Sequence, residues 1–575
     1  MKTAFTDWLW LVAIFLVLAG IHLIAGRLPC TGDEARYAFQ GVGLYSNGTF
    51  YPEPAVWKTF AAANGCGSGG VLTSDRPGRA LQTISPSLVF GAALRLGGLE
   101  AARWINFIAG CLGLALLYFM LKVQFPNRTG RASWAGIVTV IAIAVSIPFV
   151  EYLQLIYPEM LLFTIVTAAL YALLVRNRSA ALAAVVALPF VHVRALPLAL
   201  VFFAVMLFDM TRDRVSIAIW VRTCALYVAG LGIFAATQYW LYGSLTGSAF
   251  SAYAPSFTML FERIGMQFYD VRHGAVAYAP LLLVGLAGLV LGTMRRERLC
   301  VFSLVLFAMY FATFMWSTAQ ESWTARFWVA GLPFLAVGLC SWLYLAKYWW
   351  EWLPAVPLAA INLGNTITYA LNPLWFLESR QASIPYAAMF LWAHVDLGLF
   401  LPVDGDPGGI APYTQPIAAL LVYTLLLIAL LVVCRVSCVA PSRAVLCGLA
   451  CAVALVPFAL GLARSLPANA YTVTIHPSQH EFIVRFPGGD RRVDAVQFDD
   501  QLPAYWTAPP YPRAFTIRCS TGGAMPAENV EPAHPLLMLG QCSRVDEIVI
   551  TGTPLEGGDS VYWSMGGIRL IQRVL

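Results

Sequence analysis

The stretch "WLWLVAIFLVLAGIHLIAGRLPCTGDEARYA", residues 8–38, sets an almost unbroken apolar run, Trp8 to Ile24, directly before an arginine, a cysteine and an acidic pair. A cleavable secretory signal has roughly 7–15 apolar residues followed by a small-residue cleavage site, and neither holds here. The run therefore reads as a retained first membrane span. Arg27 and Pro29 also break the small-residue pattern that lipid attachment at Cys30 needs. What the stretch leaves open is why Asp33 and Glu34 stand at the mouth of that span.

The rest of the chain has the same apolar character. Of 575 residues, 59% are hydrophobic and 11% charged, where average chains carry roughly 25% charge, and mean hydropathy is +0.70. There is too little polar surface to cover a soluble globule of this length, so the class is a polytopic membrane protein. The net charge of +6 does not point to nucleic acid, because the lysines and arginines fall in short clusters between apolar runs and form no continuous basic stripe.

Apolar stretches follow one another to about Leu462, about thirteen of them able to span a bilayer. The cationic connectors are Lys122 to Arg131, Arg176 with Arg178, Arg212 with Arg214, Arg295 and Arg296 with Arg298, Lys347, and Arg435 with Arg443. With all of these cytoplasmic, the N-terminus is inside and everything beyond the last span is outside. The outer loops are then 27–84, 151–159, the turn around His192 and Arg194, and the regions near 242–279, 316–323 and 372–415. Long outer loops without periodicity carry function or cover a site.

Residues 1–463 thus form an all-α membrane domain with a first extracytoplasmic loop at 27–84, and 464–575 differ. "YTVTIHPS", "HEFIVRFPG", "AFTIRCS" and "DEIVITG" are short β-branched and aromatic runs bounded by Pro, Gly and Asp, the pattern of a small β-rich domain, here extracytoplasmic. Cys30 and Cys66 fall in the first outer loop, and Cys519 and Cys542 in the β-rich segment. Two pairs in two external segments fit disulfides; the alternative is free cysteines buried as small apolar residues.

Thr31-x-x-Glu34 fits a capping box at the start of an interfacial helix, with Asp33 favouring the helix dipole. Successive helical residues point about 100° apart, so the two carboxylates need not share a target. Other outer-face charges are Glu159 in "YPEM", His192 and Arg194 in "FVHVRALPL", Asp270, Arg272 and His273 in "DVRHGAVAYAP", Glu321, Arg326 in "WTARFW", and Lys58, Arg76 and Arg79. Each alone reads as an interfacial, snorkelling or paired residue; several on one face make a stronger signal. Arginine forks suit phosphate oxygens, and a carboxylate accepts a proton from a hydroxyl. No phosphate-loop glycine motif, HExxH or zinc-type Cys/His spacing occurs.

Asp33-Glu34-x-Arg36-Tyr37-Ala38 after the first span resembles the first-loop motif of bacterial lipid A aminoarabinose transferases, and the acidic pair is similar to that of protein O-mannosyltransferases. "EAARWIN" at 100–106, "YPEM", "PFVHVRALP", "DVRHGAVAYAP" and "WTARFWVAGLPFLA" resemble segments of the broader bacterial branch of this GT-C superfamily. "VWKTF" around Lys58 stands near the place where the aminoarabinose transferases carry Lys-Pro-Pro, without the prolines. The resemblance implies a GT-C-like fold in a bacterial inner membrane, with the C-terminal domain periplasmic. It implies a glycosyltransferase moving sugar from a polyprenyl-phosphate donor to an envelope glycan, lipid or protein hydroxyl, with inversion.

On this reading Asp33 is the base, and Glu34 orients the acceptor, holds a divalent ion or caps its helix. Asp33 is the other metal candidate, and no further cofactor is implied. Arg326, Arg194, Arg272 and Lys58 bind the donor phosphate, and Arg36, Tyr37, Glu159, His192 and His273 complete the candidate site. The rival class is a transporter or flippase for lipid-linked sugars, whose functional polar groups belong near the midplane.

Overall fold

The computed structural model describes residues 2–25, 30, 34–64, 66, 84–126, 131–243, 268, 275–314, 326–346, 348–371, 417–436 and 442–453, and eight strands between 472 and 571. The chain divides into two compact units, Met1–Pro373 with Pro416–Ala454, and Leu374–Gln415 with Leu455–Leu575.

The first unit is helical among its described residues. It runs α1 (Lys2–Ala25), α2 (Glu34–Asn47), α3 (Pro54–Asn64), α4 (Ile84–Gln124), α5 (Arg131–Ala144), α6 (Ile147–Leu153), α7 (Pro158–Leu174), α8 (Arg178–Val191), α9 (Leu196–Arg212) and α10 (Ile217–Tyr242). After the single turn Ala275–Tyr278 come α11 (Leu282–Met294), α12 (Arg298–Phe314), α13 (Leu332–Tyr344), α14 (Ala355–Leu371) and α15 (Ile417–Val436), with a last apolar helix at Ser442–Val453. Among the described residues four helices are long and apolar enough to cross a membrane: Asp7–Ala25, Ile84–Gln124, Val193–Arg212 and Ile217–Tyr242. That is fewer than the roughly thirteen spans read from hydropathy; eight further apolar helices among the described residues are 10–17 residues long. One bent pair, Trp134–Ala144 with Ile147–Leu153, meets at 62° and counts as a fifth span if taken as one.

The breaks have local causes. Gly98 takes a left-handed φ of 70° inside α4, a conformation open mainly to glycine. There the Asn64 Oδ1 accepts from the Leu99 amide at 2.8 Å and caps the second half of the helix. Prolines occupy the first turns of α6, α7 and α9, where the missing N–H is an orphan anyway. At the Arg-rich connectors, Arg176, Arg214 and Arg296 adopt positive φ. In each, the next amide reaches back five residues, as Asn177 does to Ala172, Val215 to Met210 and Glu297 to Gly292. These are Schellman turns closed by arginine where glycine is the usual residue.

Tight packing is clearest between α11 and α13. A Cβ at Gly288 would collide with the backbone carbonyl of Gly338, so only small residues allow the two backbones this approach, as in small-residue helix contacts within membranes. Helix α14 packs by polar groups instead. Thr366 bonds the Val145 carbonyl at the α5–α6 break, Asn365 donates to Tyr278 O at 3.1 Å, and Asn362 Oδ1 accepts from Leu281 N at 3.5 Å. Broken helices leave backbone groups without intrahelical partners, and this face supplies them.

The described residues of the second unit are strands. A five-stranded sheet is ordered β1-β2-β7-β4-β5 and a three-stranded sheet β6-β3-β8, where β1 is Thr472–His476, β2 Glu481–Arg485, β3 Ala495–Phe498, β4 Phe515–Cys519, β5 Met525–Pro526, β6 Leu536–Met538, β7 Glu547–Gly552 and β8 Ile568–Ile571. All pairings are antiparallel, with Ile483 opposite Val549 and Ile517 opposite Ile550. Pro526 lies in the edge strand, the place where a residue with no N–H does not interrupt the ladder.

Candidate functional site

Two buried carboxylate–guanidinium pairs organise the first unit. Glu34, the first residue of α2, is fully buried and Arg103 of α4 is 2% exposed. Arg103 Nη2 donates to Glu34 Oε2 at 2.7 Å and Nε to Oε1 at 3.2 Å, a fork-to-fork pair. The Ile156 amide adds a third bond to Oε1 at 3.0 Å. Glu34 is thus held across the fold, and a divalent ion at this carboxylate would compete with a guanidinium already in place. Among the described residues no three of His, Cys, Asp and Glu come together as a metal-binding group.

The second pair is built differently. Glu159 lies in the first turn of α7 behind Pro158, where the positive helix end favours a carboxylate. Arg326, the first residue of the 3-10 turn Arg326–Gly331, donates Nε to Glu159 Oε1 at 2.5 Å. The other oxygen of Glu159 is buried and has no hydrogen-bond partner among the described residues. The guanidinium carbon of Arg326 lies 4.4 Å from the centre of the Tyr157 ring, and Nη2 donates to the Tyr37 hydroxyl at 3.4 Å. Arg194 lies within electrostatic reach of Arg326, Glu159, Tyr310 and Tyr37. It follows His192, whose Nδ1 accepts from the Arg194 amide at 3.1 Å and so leaves the ring proton on Nε2.

The fold therefore brings together Tyr37 from α2, Tyr157 and Glu159 from the start of α7, Arg194 and His192 from the α8–α9 break, Tyr310 from α12, and Arg326. Arg326 meets Glu159 in an aromatic setting, with Arg194 within electrostatic reach. The open carboxylate oxygen beside the Arg326 guanidinium suits an anion carrying a hydrogen-bond donor.

The remaining sequence candidates separate. Arg36 is half-buried on α2, one residue before Tyr37, and Lys58 is exposed on α3. Cys30 and Cys66 are joined in a disulfide, with Cα atoms 4.6 Å apart. Asp33, Arg272, His273 and Cys542 lie outside the described residues, as do Asp270, Glu321, Arg76 and Arg79; Cys519 closes β4.

Sequence reasoning passed over Arg103, Asn106, Tyr157 and Tyr310 as site residues. The signal was present in "EAARWIN", where Glu100, Arg103 and Asn106 recur every three residues inside an apolar helix. Polar groups in such a helix are costly and face the protein interior. Glu100 meets His22 of α1 at 3.0 Å, Arg103 meets α2, and Asn106 donates to the backbone carbonyls of Tyr152 at 2.7 Å and Leu155 at 2.6 Å.

No family model matches this chain, and no curated protein matches it. Among solved structures it is similar to "Crystal Structure of ArnT from Cupriavidus metallidurans in the apo state", at 16% identity over 80% of this chain and 78% of that chain, with a TM-score of 0.40. It is likewise similar to that protein "bound to Undecaprenyl phosphate", at 18% identity over 80% of this chain and 79% of that chain, TM-score 0.40.

Proposed function

We propose that the protein is an integral-membrane glycosyltransferase of GT-C-like architecture that takes sugar from a polyprenyl-phosphate donor and passes it to an extracytoplasmic envelope hydroxyl. The observation that supports this reading is the buried Arg326–Glu159 pair with one Glu159 oxygen open, within electrostatic reach of Arg194. Arg326 and Arg194 bind the phosphate that leaves, which stabilises charge developing in the transition state. Asp33 removes the proton of the acceptor hydroxyl, which is too weakly acidic to attack unaided. One base and one displacement imply inversion at the anomeric carbon.

In the same proposal the four long helices, the bent pair and the shorter apolar helices make up about thirteen spans in a bacterial inner membrane. The β-rich segment 464–575 is periplasmic, with a second disulfide between Cys519 and Cys542; Arg272 and Lys58 belong to the donor side of the site, and His273 is a further residue of it.

The test is a transfer assay with purified full-length protein, a polyprenyl-phosphate sugar and an envelope acceptor extract, run beside a flipping assay in proteoliposomes. Transfer that falls by about 10²–10⁴-fold in Asp33→Asn, with donor binding kept, supports the reading. Lipid-linked sugar crossing the bilayer without transfer replaces it with the transporter reading.

A further inference from the structure

Helix α6 ends at Leu153 and α7 begins at Pro158, and residues 155–157 between them form a short strap. Each of its three residues is held by a specific bond. The Leu155 carbonyl accepts from Asn106 Nδ2 at 2.6 Å. The Ile156 amide donates to Glu34 Oε1 at 3.0 Å, and the Tyr157 amide turns back to the Leu155 carbonyl at 2.8 Å. Asn106 therefore grips the same carbonyl that receives the backbone of Tyr157.

The grip is specific. Asn106 is fully buried, and its amide also takes the Tyr152 carbonyl at 2.7 Å, one of the orphan acceptors that end α6. Its own Oδ1 has no hydrogen-bond partner among the described residues. A fully buried amide left half-satisfied in an apolar helix calls for an explanation beyond packing. The strap it holds ends on Tyr157, whose ring lies under Arg326, and two residues on stands Glu159, which takes Nε of the same arginine.

We infer that Asn106 is a positioning residue for the anion site: it fixes residues 155–157 so that the Tyr157 ring holds Arg326 in its binding orientation. This rests on the phosphate-binding reading of the site, and Asn106 itself touches no part of the substrate. The Glu34–Arg103 pair serves the same strap from the other side, which gives the acidic residue after the first span a role in shaping the site.

The test uses the full chain in nanodiscs, with undecaprenyl phosphate as the probe. Asn106→Ala is expected to weaken probe binding at least tenfold, and Asn106→Gln, which keeps the donor, to recover part of the loss. In the Tyr157→Ala background Asn106→Ala adds no more than a twofold loss, because the asparagine acts through that ring. Hydrogen exchange of peptides covering 154–159 rises in Asn106→Ala while exchange in 108–124 stays as in the wild type. Losses that multiply in the double variant, or binding and exchange both unchanged in Asn106→Ala, overturn the inference. Asn106→Ser is carried through the same measurements and decides the matter if Asn106→Ala does not fold. If the wild-type chain fails to bind undecaprenyl phosphate, the phosphate reading falls. Exchange across 154–159 then decides the strap separately: a rise in the Asn106 variant supports it and no change overturns it.

Discussion

Glu34–Arg103 and Glu159–Arg326 are made of the same two side chains, both buried, yet they are finished in opposite ways. In the first, two arginine nitrogens meet two carboxylate oxygens and a backbone amide joins them. In the second, one nitrogen meets one oxygen, the other oxygen has no hydrogen-bond partner among the described residues, and a second arginine stands within reach. A buried pair with its bonding completed by the protein holds structure together. A buried pair with one carboxylate oxygen left open is arranged to receive something from outside.

The largest effect expected from this contrast is on stability. Arg103→Met leaves Glu34 buried and unpaired and should destabilise the first unit by roughly 3–5 kcal/mol. The double variant Glu34→Gln/Arg103→Met, which keeps an acceptor for the Ile156 amide, should recover most of that. Denaturant unfolding in detergent measures both, and a single variant as stable as the wild type would show that the closed pair is not structural.

Next in size is Arg326→Ala, which should cut affinity for undecaprenyl phosphate by roughly 2–5 kcal/mol, the cost of truncating one partner of a buried charge pair. Because Arg194 is still within electrostatic reach of Glu159, its unfolding midpoint should fall less than that of Arg103→Met. Arg326→Lys keeps the charge without the fork and should fall between the two. A variant that unfolds as easily as Arg103→Met yet binds normally would reverse the roles assigned to the pairs.

Glu159→Gln sharpens the comparison from the other partner. It removes the carboxylate that Arg326 bonds, so binding of the same anion should strengthen by about 1–3 kcal/mol at an effective dielectric near 20. Weaker binding, read by titration in nanodiscs, would mean that Glu159 is needed chiefly to hold Arg326 in place. The smallest effect is a control at the Arg-rich connectors. Arg296 has a φ of 59°, and Arg296→Gly should relieve about 1 kcal/mol of backbone cost. Thermal unfolding should rise slightly with anion affinity unchanged, and a fall in affinity would mean that connector strain is transmitted to the site.

Much of the site was visible in the residues themselves, because charge in so apolar a chain is conspicuous. Glu159, Arg194, His192 and Arg326 stand out for that reason, Tyr37 through the motif it shares with Glu34, and the fold gathers them. The ordering among the acidic residues was not visible. Glu34 reads locally as a capping-box residue, but its carboxylate is taken by an arginine 69 positions away. Tyr157 and Asn106 carry no charge and sit in apolar surroundings, so only their contacts reveal what they do.

By itself the sequence determined the apolar class of the chain, the charges that interrupt its apolar runs, and the change to β-branched runs after residue 463, and it offered Cys30 with Cys66 as a candidate pair. These follow from local terms: hydropathy, proline and glycine stereochemistry, and turn chemistry act on a few neighbouring residues and can be read in order along the chain. Only the tertiary structure decided which carboxylate met which guanidinium, since Arg326 and Glu159 are 167 residues apart. An ion pair in a low-dielectric interior is chosen by geometry and by the cost of leaving either charge alone. Where the helices stop and how they turn sets that geometry, and so sets which pair is closed and which stays open.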